Sequence, residues 1–359
     1  MNRLAGFSFI TFITFITFFT WSCRPKSQTS NVAYILGDND IVTVSDKNDI
    51  PNVRKATVVI ATRKANGASI FCTGTMVKDN QGVLHVITNH HCFAEEGPDG
   101  SKLDTLIPEA CKETRVFFDF TSSNSSKAPN VKCLPGSLRT DPRIDVGVFQ
   151  LQEKPPADAV SLAFFKGDPA GRKALIFHHP ARAGGFAKDA EGDVSLPVAA
   201  LTTNDCKILG YFSPDDIKLD PVLHVSLRHT CDLDLGSSGS ALIDAETSSI
   251  VGINWGGVTI VENGKGISRK DNTSTMAAFA ESFLNHVPYE IPNFQESGKV
   301  KKDKVKGIGC SLQAGGSSLA DFSNVSWLLT LGLLGLPLWV LAVRNRTVTR
   351  LKSLYFGSK

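Results

Sequence analysis

Three short segments of this 359-residue chain carry side chains that could do nucleophilic chemistry together. His91 follows a strand-like run, Asp145 precedes the apolar run 146–149, and Ser238 lies in a glycine-containing segment, 236–241. A serine hydroxyl is a weak nucleophile near neutral pH. It needs an imidazole to take its proton and a carboxylate to hold that imidazole in one tautomer. The residue types, in the order His, Asp, Ser, therefore predict acyl transfer with Ser238 as the nucleophile.

The glycines beside Ser238 suit this chemistry. Attack on a carbonyl creates an oxyanion, which needs N–H donors next to the nucleophile. Gly236 and Gly239 allow the backbone to turn tightly enough to present such donors. We expect the amides of Gly236 and Ser238 to form the oxyanion hole. This chemistry requires no metal and no organic cofactor.

Taken together, these segments resemble the motifs of trypsin-like serine peptidases, over about residues 52–290. The motifs are Thr88-Asn89-His90-His91-Cys92 with Cys72 upstream, Asp145-Val146-Gly147-Val148, Gly236-Ser237-Ser238-Gly239-Ser240-Ala241, and Ile253-Asn254-Trp255-Gly256-Gly257. The last motif is most similar to the bacterial trypsin-like and glutamyl endopeptidase branch. The resemblance implies a serine endopeptidase acting on proteins or peptides. His91 would be general base and then general acid, Asp145 would orient it, and Ser238 would attack the carbonyl.

The strand-like pattern agrees with the fold of that family. Short runs at 56–60, 83–87 and 146–149 are separated by Gly, Asn, Asp or Pro, and Ser274 could cap a helix through Leu284. Many strands followed by one helix predict an all-β domain of two packed antiparallel Greek-key β-barrels with a C-terminal helix. The first barrel would supply the histidine and the aspartate, and the second the serine.

The segment 254–256 and one acidic residue are candidates for substrate binding. Asn254, Trp255 and Gly256 are expected to pair with an extended substrate backbone by strand addition. Asp232 lies six residues before Ser238, where trypsin carries its pocket aspartate, which favours cleavage after Lys or Arg. In the alternative, Asp232 only braces its loop. Glutamate specificity is disfavoured, because that branch has a histidine at the place of Asn254.

Ser237 and the remaining histidines depart from, or add to, the family pattern. Animal trypsins have an aspartate before the nucleophile that pairs with a newly cut N-terminus, and Ser237 cannot form that ion pair. Maturation by that switch is therefore not expected. His90 is expected to pack or to meet solvent, His178 and His179 to shape the second barrel, and His229 to be structural.

Six of the eight cysteines lie inside the presumed domain, and their even number predicts disulfides in an oxidising compartment. In trypsin-like peptidases the first two close the loop that holds the histidine. No pair shows the two-residue spacing of a zinc site, so that alternative is weak. The expected bonds are Cys72–Cys92, Cys111–Cys133 and Cys206–Cys231.

Composition divides the chain into six regions. These are a signal peptide at 1–23, an N-terminal extension or propeptide at 24–52, the peptidase domain at 53–291, a Lys/Gly/Ser-rich linker with a Gly-Cys site at 292–324, a transmembrane helix at 325–343, and a basic cytoplasmic tail at 344–359. Cys23 could be lipidated, and Gly309-Cys310 resembles the processing site of some bacterial sorting signals.

This order predicts an extracytoplasmic enzyme, in the periplasm or at the cell surface, anchored in the membrane unless the tail is processed. The formal net charge of +3 is small for this length and no aromatic-interleaved basic stripe accompanies it, so we expect no nucleic-acid partner. Nothing in the sequence indicates the oligomeric state. The alternative function is a tethered binding protein on an inactive protease fold. An esterase is disfavoured, because α/β hydrolases carry the triad in the order Ser, Asp/Glu, His.

Overall fold

The computed structural model describes residues 35–36, 38–45, 47–64, 67–96, 102–192, 194–219, 221–260, 269–290, 308–309 and 312–314. The predicted signal peptide, transmembrane helix and basic tail lie outside these ranges, as does most of the linker. Within them, no helix is long and apolar enough to cross a membrane. Apart from residues 67–68, the described residues belong to one compact unit.

The strands of the first half of the unit are β1 (Val42–Thr43), β2 (Thr57–Arg63), β3 (Ser69–Lys78), β4 (Leu84–Thr88), β5 (Ala94–Glu96), β6 (Lys102–Leu106), β7 (Thr114–Phe118), β8 (Asn130–Lys132), β9 (Arg139–Asp141) and β10 (Val146–Phe149). Those of the second half are β11 (Ala174–His178), β12 (Phe186–Lys188), β13 (Ser195–Pro197), β14 (Ala200–Thr202), β15 (Ile208–Tyr211), β16 (Ser226–His229), β17 (Ala241–Asp244), β18 (Ile250–Ile260), β19 (Arg269–Met276), β20 (Ile308–Gly309) and β21 (Leu312–Ala314). The helices are α1 (Pro51–Ala56), α2 (Pro214–Leu219) and α3 (Ala277–Leu284), with 3₁₀ turns at His90–Cys92, Ser125–Lys127 and Pro221–Val225.

One antiparallel sheet runs in the order β8-β7-β2-β3-β4-β10-β9, and β21 pairs with β3 outside this path. Backbone hydrogen bonds also join the chain just after β8 to the chain just after β10. Leu134 donates to Gln150 O and Gln152 donates to Lys132 O, both at 2.8 Å. The six strands β8-β7-β2-β3-β4-β10 therefore form a closed ring, which we call the first barrel.

A second antiparallel sheet runs in the order β1-β14-β11-β17-β18-β19-β16-β15, and β20 pairs with β18. Lys173, just before β11, bridges Lys207, just before β15. The amide of Ala174 donates to Cys206 O at 2.9 Å. These contacts close the ring β11-β17-β18-β19-β16-β15, the second barrel. The described part of the chain is thus mostly β, with antiparallel sheets and few helices, as the sequence predicts.

The largest apolar cluster takes residues from both barrels. Ile87 and Val148 of the first barrel belong to the same buried cluster as Ile243 and Ile253 of the second. Because apolar burial is favourable in proportion to the area removed from water, this shared core holds the barrels together. The site described below lies on strands that border it.

The predicted strands at 56–60, 83–87 and 146–149 correspond to β2, β4 and β10, with ends shifted by at most a few residues. The prediction that Ser274 caps the start of the C-terminal helix was wrong. Helix α3 begins at Ala277, and Met276 occupies the N-cap position. Ser274 is a strand residue of β19, and its hydroxyl donates to Asn254 Oδ1 instead of capping the helix.

Part of the predicted N-terminal extension, 24–52, takes part in the fold. Strand β1 pairs antiparallel with β14. Val44 is buried in the shared core, and Val53 of α1 is fully buried there. Asn48 receives and donates hydrogen bonds that close the turn after β1. The described residues 38–52 are thus integrated with the barrels.

Three disulfides are formed, and their pairs are those expected: Cys72–Cys92, Cys111–Cys133 and Cys206–Cys231. The first joins β3 to the 3₁₀ turn after β4. The third joins the chain before β15 to the loop that leads to Ser238. The turn that carries His91 and the loop that leads to Ser238 are thereby each covalently bonded to a neighbouring segment of the chain.

Candidate active site

The pairing of two strands of the first barrel brings His91 close to Asp145. Strand β4 ends at Thr88, which pairs with Gly147 of β10. His91 lies in the 3₁₀ turn that follows β4, and Asp145 directly precedes β10. The register of one strand pair therefore carries both residues to the same end of the barrel.

The Asp145 carboxylate makes two hydrogen bonds to His91. Oδ2 accepts from the ring Nδ1 at 2.7 Å, and Oδ1 accepts from the backbone N–H at 3.0 Å. Both side chains are buried. A donor at Nδ1 fixes the tautomer whose lone pair is at Nε2, which is the atom a general base uses.

Asp145 has an unusual backbone conformation, with φ of 49°. Non-glycine residues adopt this region rarely, and aspartate more readily than most. The Asn89 amide donates to Asp145 O at 2.7 Å and holds the turn in this conformation. Strained backbone that the surrounding hydrogen bonds maintain is frequent at functional sites.

Ser238 lies between β16 and β17 of the second barrel, in residues 230–240, which we call the nucleophile loop after the predicted role of Ser238. This loop is bonded to Thr73 of the first barrel. The Thr73 amide donates to Ser238 O at 2.8 Å. Its hydroxyl donates to Gly236 O, also at 2.8 Å. Since Thr73 adjoins Cys72, which is bonded to Cys92 beside His91, the three segments meet at one place.

The two glycines of the loop are required by close approach as well as by φ. Gly236 and Gly239 have φ of 88° and 81°. A methyl group on Gly239 would collide with Thr88 Oγ1 and with the carbonyl of Thr73. On Gly236 it would collide with the carbonyl of His179. No other residue type fits these positions without displacing backbone.

Within residues 234–240 of this loop, two amides have no acceptor in the described part of the chain: those of Gly236 and Ser238. The intervening Ser237 donates to Asp234 O at 3.0 Å, and the following Gly239 donates to Asn254 O at 2.8 Å. Ser238 is 1% exposed, and its Oγ makes no hydrogen bond to any described residue. Catalytic hydrogen bonds are often long in ligand-free structures.

The predicted substrate-binding segment is strand β18, and its three residues differ in their contacts. Asn254 is used by the nucleophile loop, because its N–H donates to Ser240 O and its carbonyl accepts from Gly239. Trp255 is 3% exposed and packs against Phe212. Gly256 pairs with Thr273 on one side and with Gly309 of β20 on the other.

Asp232 is buried and makes contacts with the N-terminal segment. Its Oδ1 accepts the Leu36 amide at 2.7 Å, and its Oδ2 accepts the Asp40 amide at 3.1 Å. Asp234 similarly accepts the amides of Arg182 and Ala183. These contacts favour the alternative that the sequence left open, in which Asp232 braces its loop.

The four other histidines considered in the sequence analysis, His90, His178, His179 and His229, are buried. His90 is 4% exposed, and neither ring nitrogen has a hydrogen-bond partner among the described residues. His178 Nδ1 lies 2.7 Å from Ser237 Oγ, and His179 Nδ1 lies 3.0 Å from Pro197 O. Burial lowers the pKa of His178 to about 3, of His179 to about 4 and of His229 to about 3, so these rings are neutral.

The residues near His91 do not fit a metal. Cys72, His91 and Cys92 place one potential ligand atom each within 4.8 Å of one another. However, a metal needs the thiolate form of cysteine, and these two sulfurs are joined to each other.

Two residues near the site were missed by the sequence reasoning. Thr73 directly follows Cys72, but no sequence signal shows that it contacts the nucleophile loop. Asp271 lies on β19, paired with Val258 next to Gly257. It is 5% exposed and forms an ion pair with Arg228, Oδ2 to Nε, at 3.1 Å. Its position next to the end of the motif 253–257 follows from the pairing of β18 with β19, which the sequence alone does not show.

Comparison with known proteins gives the family. The family described as lysyl endopeptidase, C-terminal domain, matches residues 38–272, which is more than half of the chain. No curated protein is significantly similar in sequence. Among solved structures, a Glu endopeptidase in complex with MPD is 17% identical, with a TM-score of 0.44, covering 70% of this chain and 98% of that one. The active form of the Rv3671c protease from M. tuberculosis is 16% identical, with a TM-score of 0.39, covering 73% and 94%. The family match shows that this chain belongs to the lysyl endopeptidase C-terminal domain family and is a serine endopeptidase of the trypsin-like kind.

Proposed function

We propose that His91, Asp145 and Ser238 are the catalytic triad of this endopeptidase. His91 Nε2 takes the proton of Ser238 Oγ as the oxygen attacks the peptide carbonyl. The resulting imidazolium gives that proton to the leaving amine, and an acyl-enzyme on Ser238 remains. Water, deprotonated by the same imidazole, then releases the acid. The observation that carries the proposal is the pair of hydrogen bonds from the Asp145 carboxylate to His91.

The amides of Gly236 and Ser238 form the oxyanion hole in this mechanism. In support of this assignment, neither amide has an acceptor among the described residues, whereas the amides of Ser237 and Gly239 each donate to a backbone carbonyl. Preorganised donors of this kind stabilise the charge that develops on the carbonyl oxygen. Removing one typically lowers kcat by about 10²–10³-fold.

The substrate backbone is proposed to add to the edge of β18 at Trp255 and Gly256. The backbone of Asn254 is not expected to bond to the substrate, since its amide and carbonyl already bond to the nucleophile loop. In the described structure Gly256 pairs with Gly309 and Gly257 pairs with Ile308 of β20. This pairing supports the idea that an extended peptide can lie along this part of β18.

Cleavage after basic residues, lysine above all, is the proposed specificity. The name of the family supports lysine. A cationic side chain in a narrow site needs a carboxylate partner. Asp232 was the first candidate, but its two oxygens already accept amides. We propose Asp271 instead, because it lies on the strand that pairs with Gly257 and Val258, next to the proposed substrate-binding segment. A substrate lysine would have to replace Arg228 as its ion-pair partner.

The enzyme is proposed to act outside the cytoplasm. Three disulfides fit an oxidising compartment. The apolar runs at 1–23 and 325–343 support export and membrane tethering, and the basic tail supports a cytoplasmic C-terminus.

Labelling with a fluorophosphonate tests the function directly. The ectodomain of residues 24–315 should react, and the Ser238→Ala variant should neither react nor hydrolyse peptides. Profiling with a peptide library should give cleavage after Lys and Arg. Asp271→Asn should reduce kcat/KM for Lys substrates far more than for an uncharged substrate. An ectodomain that does not react, with Ser238→Ala behaving like wild type, would instead support the tethered binding protein.

A further inference from the structure

The residue before the nucleophile, Ser237, is held by a buried histidine. Ser237 Oγ lies 2.7 Å from His178 Nδ1 and accepts the Asp234 amide at 3.1 Å. Both side chains are fully buried. In animal trypsins an aspartate at this position is held by the charged amine of a cleaved N-terminus. The described contacts here are formed between uncharged groups of the intact chain.

The hydrogen-bond donors and acceptors around His178 are consistent with one arrangement. Thr202 Oγ1 donates to Asp232 O at 3.4 Å, so its oxygen is left to accept from His178 Nε2, 3.3 Å away. With the ring proton on Nε2, Nδ1 is an acceptor, and it receives the hydroxyl proton of Ser237. Every polar group of the chain Thr202–His178–Ser237 is then satisfied, which a buried network requires.

A neutral ring is needed for this arrangement, since a protonated His178 would donate from both nitrogens. Burial lowers the pKa of His178 to about 3, followed by the neighbouring His179 as a smaller cause. The imidazole therefore stays neutral through the range in which a histidine base can work.

Ser237 lies between the two amides assigned to the oxyanion hole. Its N–H donates to Asp234 O, and its carbonyl accepts from the Ser240 amide at 3.0 Å and from the Ser240 hydroxyl at 2.7 Å. Movement of Ser237 would rotate the peptide groups on both sides of it, and these carry the N–H of Ser238 and the carbonyl of Gly236.

We propose that His178 is a positioning residue that acts through Ser237 to hold the nucleophile loop in its active conformation. It would do so without the newly cut N-terminus that animal trypsins use. This inference rests on the proposed function of Ser238. It makes the loop competent as soon as the domain folds, so that processing of the N-terminal region is not required to organise it.

The test is a double-mutant cycle between His178→Leu and Ser237→Ala, with kcat and KM measured for a peptide amide substrate. Each single variant should lower kcat at least about tenfold and change KM less than threefold, because the loss is one of transition-state stabilisation. The double variant should be no worse than His178→Leu. His178→Asn, whose amide oxygen can accept from Ser237, should recover most of the activity.

A second measurement distinguishes positioning from mere stability. A peptide aldehyde, whose covalent adduct needs the oxyanion hole, should bind more weakly to both single variants by the same factor as kcat falls. His85→Leu removes a buried imidazole from the first barrel, where His85 contacts Asp79, and should lower stability without changing kcat.

Unchanged kcat in Ser237→Ala and His178→Leu, or additive losses in the double variant, would overturn the proposal. A wild-type domain that neither hydrolyses peptides nor reacts with a fluorophosphonate would refute the proposed function instead. The two failures are therefore distinguishable.

Discussion

Thr73 links the first barrel to the nucleophile loop of the second, and its replacement by valine tests how strongly the site depends on that link. Its hydroxyl donates to Gly236 O at 2.8 Å and accepts the His179 amide at 3.0 Å. Thr73 is fully buried, and His179 is 1% exposed. Valine has nearly the same shape, so the change removes two hydrogen bonds and little else.

The expected loss of stability follows from the two groups that remain. A buried polar group without a partner destabilises a protein by about 1–3 kcal/mol. With Gly236 O and the His179 amide both left in this state, Thr73→Val should lower the free energy of unfolding by about 2–6 kcal/mol. This is a large part of the ~5–15 kcal/mol typical of a domain. Because Gly236 belongs to the proposed oxyanion hole, kcat should also fall by at least about tenfold.

Thr73→Ser is the matched control, since it keeps the hydroxyl and loses one methyl group, worth about 0.8 kcal/mol. Urea-induced unfolding gives the stabilities, and turnover of a peptide p-nitroanilide gives kcat under conditions where both variants are folded. If the two variants were equally stable and equally active, the Thr73 hydroxyl would not hold the loop, and the reasoning would be wrong.

Three further predictions follow from contacts of the described residues. Asp145→Asn should lower kcat by about 10⁴-fold with little change in stability, because an amide favours the wrong tautomer of His91; equal kcat for variant and wild type in steady-state assays would contradict this. Burial, and then the neighbouring Asp232, raise the pKa of Asp40 to about 7. A carboxyl group with a raised folded-state pKa stabilises the fold fully below pH 4 and loses this contribution as the pH rises to 7. Asp40→Asn should therefore reduce the loss of unfolding free energy between pH 4 and 7 by on the order of 1 kcal/mol, after solvent screening is allowed for. The melting temperature of the variant should then fall less steeply with pH than that of the wild type; the same pH dependence in both proteins would contradict this prediction. Deleting residues 24–52 should lower the melting temperature by more than about 10 °C, because it removes β1 and its pairing with β14; an unchanged melting temperature in differential scanning calorimetry would contradict this.

The strand content and the enzyme class were predictable because both depend on short local sequence patterns. The run 146–149 is a strand in the structure as expected, since alternation and β-branching act over a few residues. His91, Asp145 and Ser238 each carry a motif, and the chain order of the three adds the specificity that single motifs lack.

Contacts between distant segments were not predictable in the same way. Asp232 was given two alternative roles, and the amides of Leu36 and Asp40 that bond to it are almost 200 residues away. The helix start at Ser274 was wrong because its hydroxyl is taken by Asn254, a partner on the next strand. A local capping rule cannot register such competition from a neighbouring strand.

The division of the site between two barrels has a consequence for how the enzyme fails. The proposed base His91 and its partner Asp145 come from the first barrel, and the proposed nucleophile Ser238 comes from the second. Thr73 of the first barrel is hydrogen-bonded to the loop of the second that carries Ser238. Heat or denaturant that separates the two barrels, even while each barrel keeps its strands, would therefore abolish peptidase activity. A partly unfolded molecule could then be cleaved by folded copies of the enzyme, but it could not itself cleave other proteins.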